Sequence, residues 1–347
     1  MESLLTPAAA HAGCPKNMEY GPCGGVDFDG SCEVADFRCV FLGDPLVTWH
    51  GASPPEPDVV PRSSGAAEMM ALMNTRPIVV ADFPARAMDA ESLAECAALL
   101  AGPVDAALAG DFGKARVQFS PSYRASLIRA AGLQVWTGIN CRDRNRVAIE
   151  GELAGLAHVG VAGVHCVTGD HTLLGSRPDA APVFDLDSPQ VAALARAAGH
   201  LVSVGESPTT PPVELRAARL LEKTRAGADV CFVNHCGGVD AVGRFVRESH
   251  DLGVTARFIP CVPMVTDHAS AQLLRSFTTL VLPEGYLDRI LSAADPREEG
   301  IRAAVELSLE LLEIEGVAGV NLSGGAGPGR EAEFAIVLAE TAQRLAL

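Results

Sequence analysis

Four cysteines near the start of the chain have the composition and turns of a metal-binding segment. Cys14, Cys23, Cys32 and Cys39 lie within 26 residues and are separated by glycines and prolines that favour tight turns. Such turns can bring four thiolates to about 2.3 Å from one ion, which suits tetrahedral zinc or, alternatively, an iron–sulfur cluster. The cysteines do not form C-x-x-C pairs, so buried thiols without metal are the other alternative. The pattern predicts a structural zinc site, because four protein ligands leave no open coordination position.

Composition favours a soluble enzyme over a nucleic-acid-binding or membrane protein. The 347 residues are 48% hydrophobic and carry a net charge of -16, and phosphate-rich partners need clustered Lys and Arg instead. No uninterrupted apolar run reaches the roughly 18 residues of a membrane span, and residues 1–13 lack a secretory signal pattern. We expect a cytoplasmic location, where scattered cysteines act as small buried apolar residues. These are Cys96, Cys141, Cys166, Cys231, Cys236 and Cys261.

Beyond residue 76 the chain alternates short β-branched apolar runs with longer amphipathic stretches, the pattern of parallel strands joined by helices. Ser120, Ser188 and Asp295, each followed by proline, predict helix starts. Eight such strands over about 270 residues predict a (β/α)8 TIM barrel. The alternative, a doubly wound open sheet, lacks a G-x-G-x-x-G after the first strand. The predicted strands are 78–83, 104–109, 134–140, 163–168, 201–205, 230–234, 256–259 and 316–322.

A proline-rich stretch separates the cysteines from the predicted barrel. Pro54, Pro55, Pro57 and Pro61 exclude a regular helix or a paired strand there. The sequence therefore predicts three parts. These are a cysteine-rich metal-binding segment at 1–50, a linker at 51–75 and the barrel at 76–347.

Polar residues gather at the predicted strand ends, where barrels of this kind carry their chemistry. Asp170 follows Gly169 after the fourth strand, and its carboxylate can accept two parallel hydrogen bonds from an amino-heterocycle such as a pterin. A turn or helix cap is the alternative role. Lys223 precedes the sixth strand and is one of only three lysines in a chain with 24 arginines.

Other strand-end residues have weaker assignments. His171 and His235 could act as acids or bases, because histidine titrates near neutrality, or could serve packing. The arginines of residues 142–146 predict an ion-pair network at a helix start more than a binding site. The glycine-rich stretch 323–329 could hold a phosphate with its backbone N–H groups, although it lacks the Lys-Ser/Thr of a P-loop.

Two stretches resemble one known family. Residues 14–39, with Cys-Pro-Lys, Gly-Pro-Cys-Gly-Gly and Gly-Ser-Cys-Glu-Val, resemble the cysteine-rich domain that accompanies some methylenetetrahydrofolate reductases after the barrel or on a separate chain. The barrel resembles methylenetetrahydrofolate reductase itself over nearly its whole length. The motifs are Cys-Arg-Asp-Arg-Asn-Arg at 141–146, Thr-Gly-Asp at 168–170, Ala-Gly-Ala-Asp at 226–229, Phe-Ile-Pro at 258–260 and Gly-Val-Ala-Gly-Val at 316–320.

The resemblance implies a flavoprotein of folate metabolism. It implies FAD at the C-terminal rim of the barrel, a folate stacked on the flavin, and hydride transfer from flavin N5 to methylenetetrahydrofolate. Asp170 matches the family's aspartate near the flavin and pterin rings. Lys223 matches a lysine of the FAD site, to which Asn140 and Gly169 are also assigned.

Three positions depart from the family pattern. With a one-residue shift, Asp82 stands where the family has its catalytic glutamate, so Asp82 and Asp170 are the expected catalytic residues. Asn234 stands in place of the folate-binding glutamine and keeps the same donor and acceptor pair. Gly138 stands in place of a flavin-contacting histidine.

These departures leave two further readings of the function. One is a flavin-independent, tetrahydrofolate-dependent methyl or one-carbon transferase. The other is an accessory subunit of a reductase complex. Besides the folate, the expected partners are a second copy of the chain or a partner reductase subunit.

Overall fold

Eight parallel strands close into a barrel in the computed structural model, which describes residues 11–44, 46–52, 60–111 and 114–345. The strands pair in sequence order, and the last pairs with the first, with Ile78 opposite Gly319. The predicted (β/α)8 barrel is therefore confirmed. The strands are β1 (Ile78–Asp82), β2 (Ala106–Ala109), β3 (Val135–Asn140), β4 (Gly163–Val167), β5 (Val202–Glu206), β6 (Val230–Val233), β7 (Arg257–Pro263) and β8 (Gly319–Ser323).

Helices surround the barrel and connect its strands. None of them, within the described ranges, has the length and apolar character that a membrane crossing requires. The helices are α1 (Ser64–Met73), α2 (Ala90–Leu100), α3 (Pro121–Ala130), α4 (Arg146–Val159), α5 (Ser188–Ala197), α6 (Arg216–Arg225), α7 (Val239–Asp251), α8 (His268–Arg275), α9 (Tyr286–Leu291), α10 (Pro296–Leu312) and α11 (Glu331–Leu345).

The predicted helix caps are only partly correct. Asp295 caps α10 by accepting two backbone N–H bonds, as expected. The cap of α5 is Asp187 and not Ser188, because Asp187 and Gln190 form a reciprocal capping box around the first turn. Ser120 makes no capping hydrogen bond with its side chain.

One helix and one strand differ from the sequence prediction. Helix α1 occupies part of the stretch 51–75 that was predicted as a linker, while Pro54, Pro55 and Pro57 lie outside the described residues. Strand β7 continues past the predicted end at residue 259, and its later residues Cys261 and Val262 pair with β8. Pro260, which follows the predicted end, does not end the strand.

Helix α1 closes the N-terminal end of the barrel. Its Met69 and Met73 are buried in an apolar cluster with Trp136 and Phe232, which fill the barrel interior. Trp136 and Phe232 meet edge to face, with ring centroids 5.3 Å apart. Gly65 packs so closely that a Cβ there would lie 2.2 Å from the Gly160 carbonyl oxygen. This end of the barrel is therefore sealed by apolar packing.

The cysteine-containing stretch 11–44, called the N-terminal segment below, covers the opposite end. The Asp187 carboxylate that caps α5 also accepts hydrogen bonds from the backbone N–H groups of Glu19 and Tyr20, at 3.3 and 3.1 Å. Arg219 of α6 donates to the Pro22 carbonyl. These polar contacts hold the segment over the carboxyl ends of the strands.

Candidate functional site

A cavity of roughly 960 Å³ lies between the strand ends and the N-terminal segment. This volume is at the upper end of the range for small-molecule sites. Five of the six barrel residues predicted from the sequence line it, and they come from strand ends or from the helix after β5. They are Asn140, Gly169, Asp170, Lys223 and Asn234.

Asp170 presents its carboxylate openly to this cavity. Its side chain is 62% exposed, and its nearest ion-pair contact is Arg116 at 3.7 Å. Gly169 before it has a φ of +86°, and a Cβ there would lie 2.9 Å from the Asn140 Cβ. The glycine is required by the left-handed conformation that brings Asp170 to the rim.

Asn140 and Arg142 belong to a network that joins the ends of β2 and β3. Asp111, after β2, accepts hydrogen bonds from the Asn140 amide at 2.5 Å and from Arg142 at 2.7 Å. Arg142 also pairs with Asp143 through two nitrogens, at 2.7 and 2.6 Å. The arginine is 2% exposed, so the expected ion-pair network forms one wall of the cavity.

Lys223 is part of a buried charge cluster with a carboxylate that the sequence prediction missed. Its ammonium donates to Glu206 at 2.6 Å and to the Gly205 carbonyl at 2.7 Å, while Arg216 donates to the other Glu206 oxygen at 3.1 Å. Burial alone would raise the pKa of Glu206, but Lys223, Arg219 and Arg216 lower it to about 2. The cluster therefore carries one negative and three positive charges.

Asp82 is not among the described residues that line the cavity. At the end of β1 it accepts hydrogen bonds from Asn321 and Ser323, each at 2.9 Å, and from the Gly324 N–H at 3.1 Å. Burial raises the pKa of Asp82, and these hydrogen bonds oppose the rise. Ser323 does line the cavity, so Asp82 is one hydrogen bond away from it.

Two cavity histidines are neutral at physiological pH. Burial, together with the positive charge of Lys223, lowers the pKa of His165 to about 4. Burial lowers the pKa of His235 to about 4 as well, and its ring approaches the Ser323 hydroxyl at 3.3 Å. Each histidine can therefore donate or accept a hydrogen bond but carries no charge. His171, behind Asp170, stacks on Phe184.

All three lysines of the chain line this one cavity. Lys114 follows β2 and is exposed, Lys223 belongs to the buried cluster, and Lys16 comes from the N-terminal segment. Lys16 is 4% exposed and forms an ion pair with Glu33. Burial alone would lower the pKa of Lys16, but the negative charges of its surroundings raise it.

The four cysteines of the N-terminal segment are free thiols of intermediate burial. Backbone N–H groups approach three of the sulfurs, including that of Gly25, which donates to Cys23 at 3.4 Å. Burial raises the pKa of the Cys14 and Cys39 thiols, and the backbone hydrogen bonds of these two sulfurs oppose the rise. Among the described residues, no group of three or more His, Cys, Asp or Glu is close enough together to hold a metal ion. The zinc site therefore stays a prediction.

The fold is a (β/α)8 barrel with a cavity at the carboxyl ends of its strands, the place where such barrels carry their small-molecule sites. The sequence profile of the family described as "Methylenetetrahydrofolate reductase" matches residues 108–323. That is more than half of the chain, and the protein belongs to this family. A second profile, described as "Methylene-tetrahydrofolate reductase C terminal", matches residues 5–43. The comparison with curated proteins gives no match.

The solved structures that match this chain are distant from it in sequence. A protein from Clostridium thermocellum, described as uncharacterized and as binding two copies of 5-methyl-5,6,7,8-tetrahydrofolic acid, is 13% identical with a TM-score of 0.58. The match covers 80% of this chain and 99% of that one. A 2,3-dimethylmalate lyase is 15% identical with a TM-score of 0.45, covering 83% of this chain and 87% of its own.

Proposed function

We propose that the cavity binds a tetrahydrofolate derivative and that the protein converts its one-carbon unit. The observation that carries the proposal is the open Asp170 carboxylate, since a carboxylate can accept hydrogen bonds from both the 2-amino group and the N3–H of a pterin. Asn234 supports it with an exposed amide that is held by Ser207 at 2.7 Å. Membership of the family and the bound methyltetrahydrofolate of the structural neighbour point to the same ligand class.

The reaction that we propose first is the reduction of methylenetetrahydrofolate. The residues expected at the FAD site, Asn140, Gly169, Asp170 and Lys223, all line one cavity, so the chain's donor set fits the cofactor. A bound reduced flavin would supply the hydride. The buried cation cluster at Lys223 would face the anionic part of the cofactor, and its net charge stays positive despite Glu206.

The chain's own acid in this reaction is Asp82. Burial raises the pKa of Asp82 against the opposing effect of its hydrogen bonds, and the Ser323 hydroxyl lies between the carboxyl group and the cavity. In a proton relay from Asp82, the Ser323 hydroxyl, which donates to Asp82 in this structure, would turn to accept the Asp82 proton and would pass its own proton to a bound folate nitrogen, with His235 beside it as a neutral acceptor or donor. In this scheme Asp170 orients the pterin and Asp82 provides the proton.

A visible absorption spectrum of the purified protein tests the reductase proposal. We expect flavin absorbance near ~450 nm and its bleaching when a reductant is added, followed by recovery with methylenetetrahydrofolate. Metal analysis of the same sample would report zinc or iron in the N-terminal segment. A colourless protein that takes up no added FAD, but still binds tetrahydrofolate, contradicts the flavin-dependent reaction.

A second candidate, a flavin-independent one-carbon transferase, is favoured by two positions. Asp82 is engaged by three donors of the β8 end and does not face the cavity directly. At Gly138, any side chain would meet the Gly110 Cα at 2.9 Å, so the family's histidine has no room there. Binding of 5-methyltetrahydrofolate without flavin would leave this candidate in place. If neither ligand bound, the accessory-subunit role would lead.

A further inference from the structure

Lys16 places a cation of the N-terminal segment inside the proposed folate site. Its side chain is 4% exposed and lines the cavity, and its ammonium forms an ion pair with Glu33. Among the described residues this is its one side-chain hydrogen bond, and an ammonium has three N–H donors. Two donors therefore remain for a group in the cavity.

Two contacts place Lys16 on the same side of the cavity as Asp170. The amide of Asn17, the residue after Lys16, donates to the Phe184 carbonyl at 3.5 Å, and the Phe184 ring stacks on His171, the residue after Asp170. Both Lys16 and Asp170 line the cavity. The cavity thus presents an open carboxylate from the barrel and a buried ammonium from the N-terminal segment.

This pair complements one edge of a pterin ring. That edge carries two donors, the 2-amino group and N3–H, followed by one acceptor, the 4-oxo group. A carboxylate satisfies the two donors, and an adjacent ammonium satisfies the acceptor. We propose that Lys16 donates to the 4-oxo group of the pterin that Asp170 holds, so that the N-terminal segment supplies a specificity-determining residue. The inference rests on the proposed folate site.

Binding of two ligands that differ at this position tests the assignment. Folic acid has the 4-oxo group and N3–H, whereas 4-amino-4-deoxyfolic acid has an amino group at position 4 and no N3–H, so Lys16 and Asp170 would both contribute to a preference. We expect the wild-type full-length protein to prefer folic acid, measured by titration calorimetry. In Lys16→Met that preference should fall by about ten- to a hundredfold, the range expected for one charge-assisted hydrogen bond.

Lys114 offers a matched control, because it also lines the cavity but is exposed. Lys114→Met should keep the wild-type preference between the two ligands. Lys16→Met leaves the Glu33 carboxylate buried without its partner, so the double variant Lys16→Met/Glu33→Gln removes both charges and protects the fold. Glu33→Gln alone keeps the ammonium and should keep the preference.

Each outcome decides one question. A wild type that binds folic acid, with an unchanged preference in both Lys16 variants, overturns the Lys16 assignment and leaves the proposed folate site standing. A wild type that binds neither folic acid nor 5-methyltetrahydrofolate overturns the folate site, and the Lys16 assignment falls with it. A reduced preference in the Lys16 variants alone supports both.

Discussion

The two ends of the barrel are covered by different kinds of contact. At the N-terminal end, α1 inserts methionines against Trp136 and Phe232, and the contacts are apolar. At the C-terminal end, the N-terminal segment is held by carboxylates and arginines, with Asp187 and Arg219 binding its backbone. Apolar packing stabilises without leaving room for a ligand, whereas polar anchoring leaves a cavity whose walls carry charge. Stability and recognition are thus separated along the barrel axis.

The largest effect that this separation predicts is at the apolar end. Trp136 is fully buried and its ring nitrogen donates to Ser203 at 2.8 Å. Trp136→Ala removes a large side chain from a packed core and should lower the free energy of unfolding by about 4 kcal/mol. Urea denaturation measures this. A loss of less than about 1 kcal/mol would show that the N-terminal end is loosely packed.

At the polar end, the largest effect is expected from Glu206. Glu206→Gln leaves Lys223 and Arg216 buried without their carboxylate, and should lower the free energy of unfolding by about 3 kcal/mol. Asp179→Asn is the control, because the Arg177–Asp179 pair is exposed and should contribute less than about 1 kcal/mol. Equal effects of the two substitutions would mean that the buried cluster adds nothing to stability.

The effect of Glu206→Gln on the free energy of unfolding should depend on pH. The pKa of Glu206 is lowered from 4.5 to about 2 in the folded protein. A carboxylate with a lowered folded-state pKa stabilises the fold above its unfolded pKa, and this contribution is lost as the pH falls toward the folded value. The difference in stability between wild type and Glu206→Gln should therefore shrink between about pH 5 and pH 2. A difference that is constant over this range would contradict the ionised Glu206.

A substitution at Asp187 tests the contacts that hold the N-terminal segment, and we expect it to cost less stability than Glu206→Gln. One carboxylate oxygen caps α5, and the other accepts the Glu19 and Tyr20 N–H groups. Asp187→Asn keeps a capping oxygen but replaces the second acceptor by a donor, at a local cost of about 1–2 kcal/mol. The Glu19 and Tyr20 amides should exchange with solvent at least about tenfold faster, while those of α1 keep their rates. If the α1 amides exchanged faster by the same factor as those of Glu19 and Tyr20, the two ends of the barrel would be coupled.

The sequence predicts the strands better than the elements that cover the two barrel ends, since α1 falls in the stretch predicted as a linker. Strands β1 to β8 are found because buried parallel strands have continuous apolar runs, and Asp170 because polar residues follow such runs. Asn234 is assigned through the family resemblance. Glu206 is missed because its predicted strand ends at residue 205, one position too early. Lys16 is missed because its position depends on backbone contacts between distant parts of the chain, which leave no periodic pattern in the sequence.

The smallest effect, and the sharpest for the site, is expected at Gly169. Gly169→Ala adds a Cβ at a φ of +86° and 2.9 Å from the Asn140 Cβ, so it shifts the loop that carries Asp170. Gly132→Ala is the matched control, with a φ of +89° and no atom within 4 Å of the new Cβ. Both should lower stability by about 1 kcal/mol through backbone strain. Only Gly169→Ala should also weaken tetrahydrofolate binding, which calorimetry measures. If the two variants bound tetrahydrofolate equally well, the Asp170 loop would not form the pterin site. The N-terminal segment would then cover a cavity with no assigned ligand.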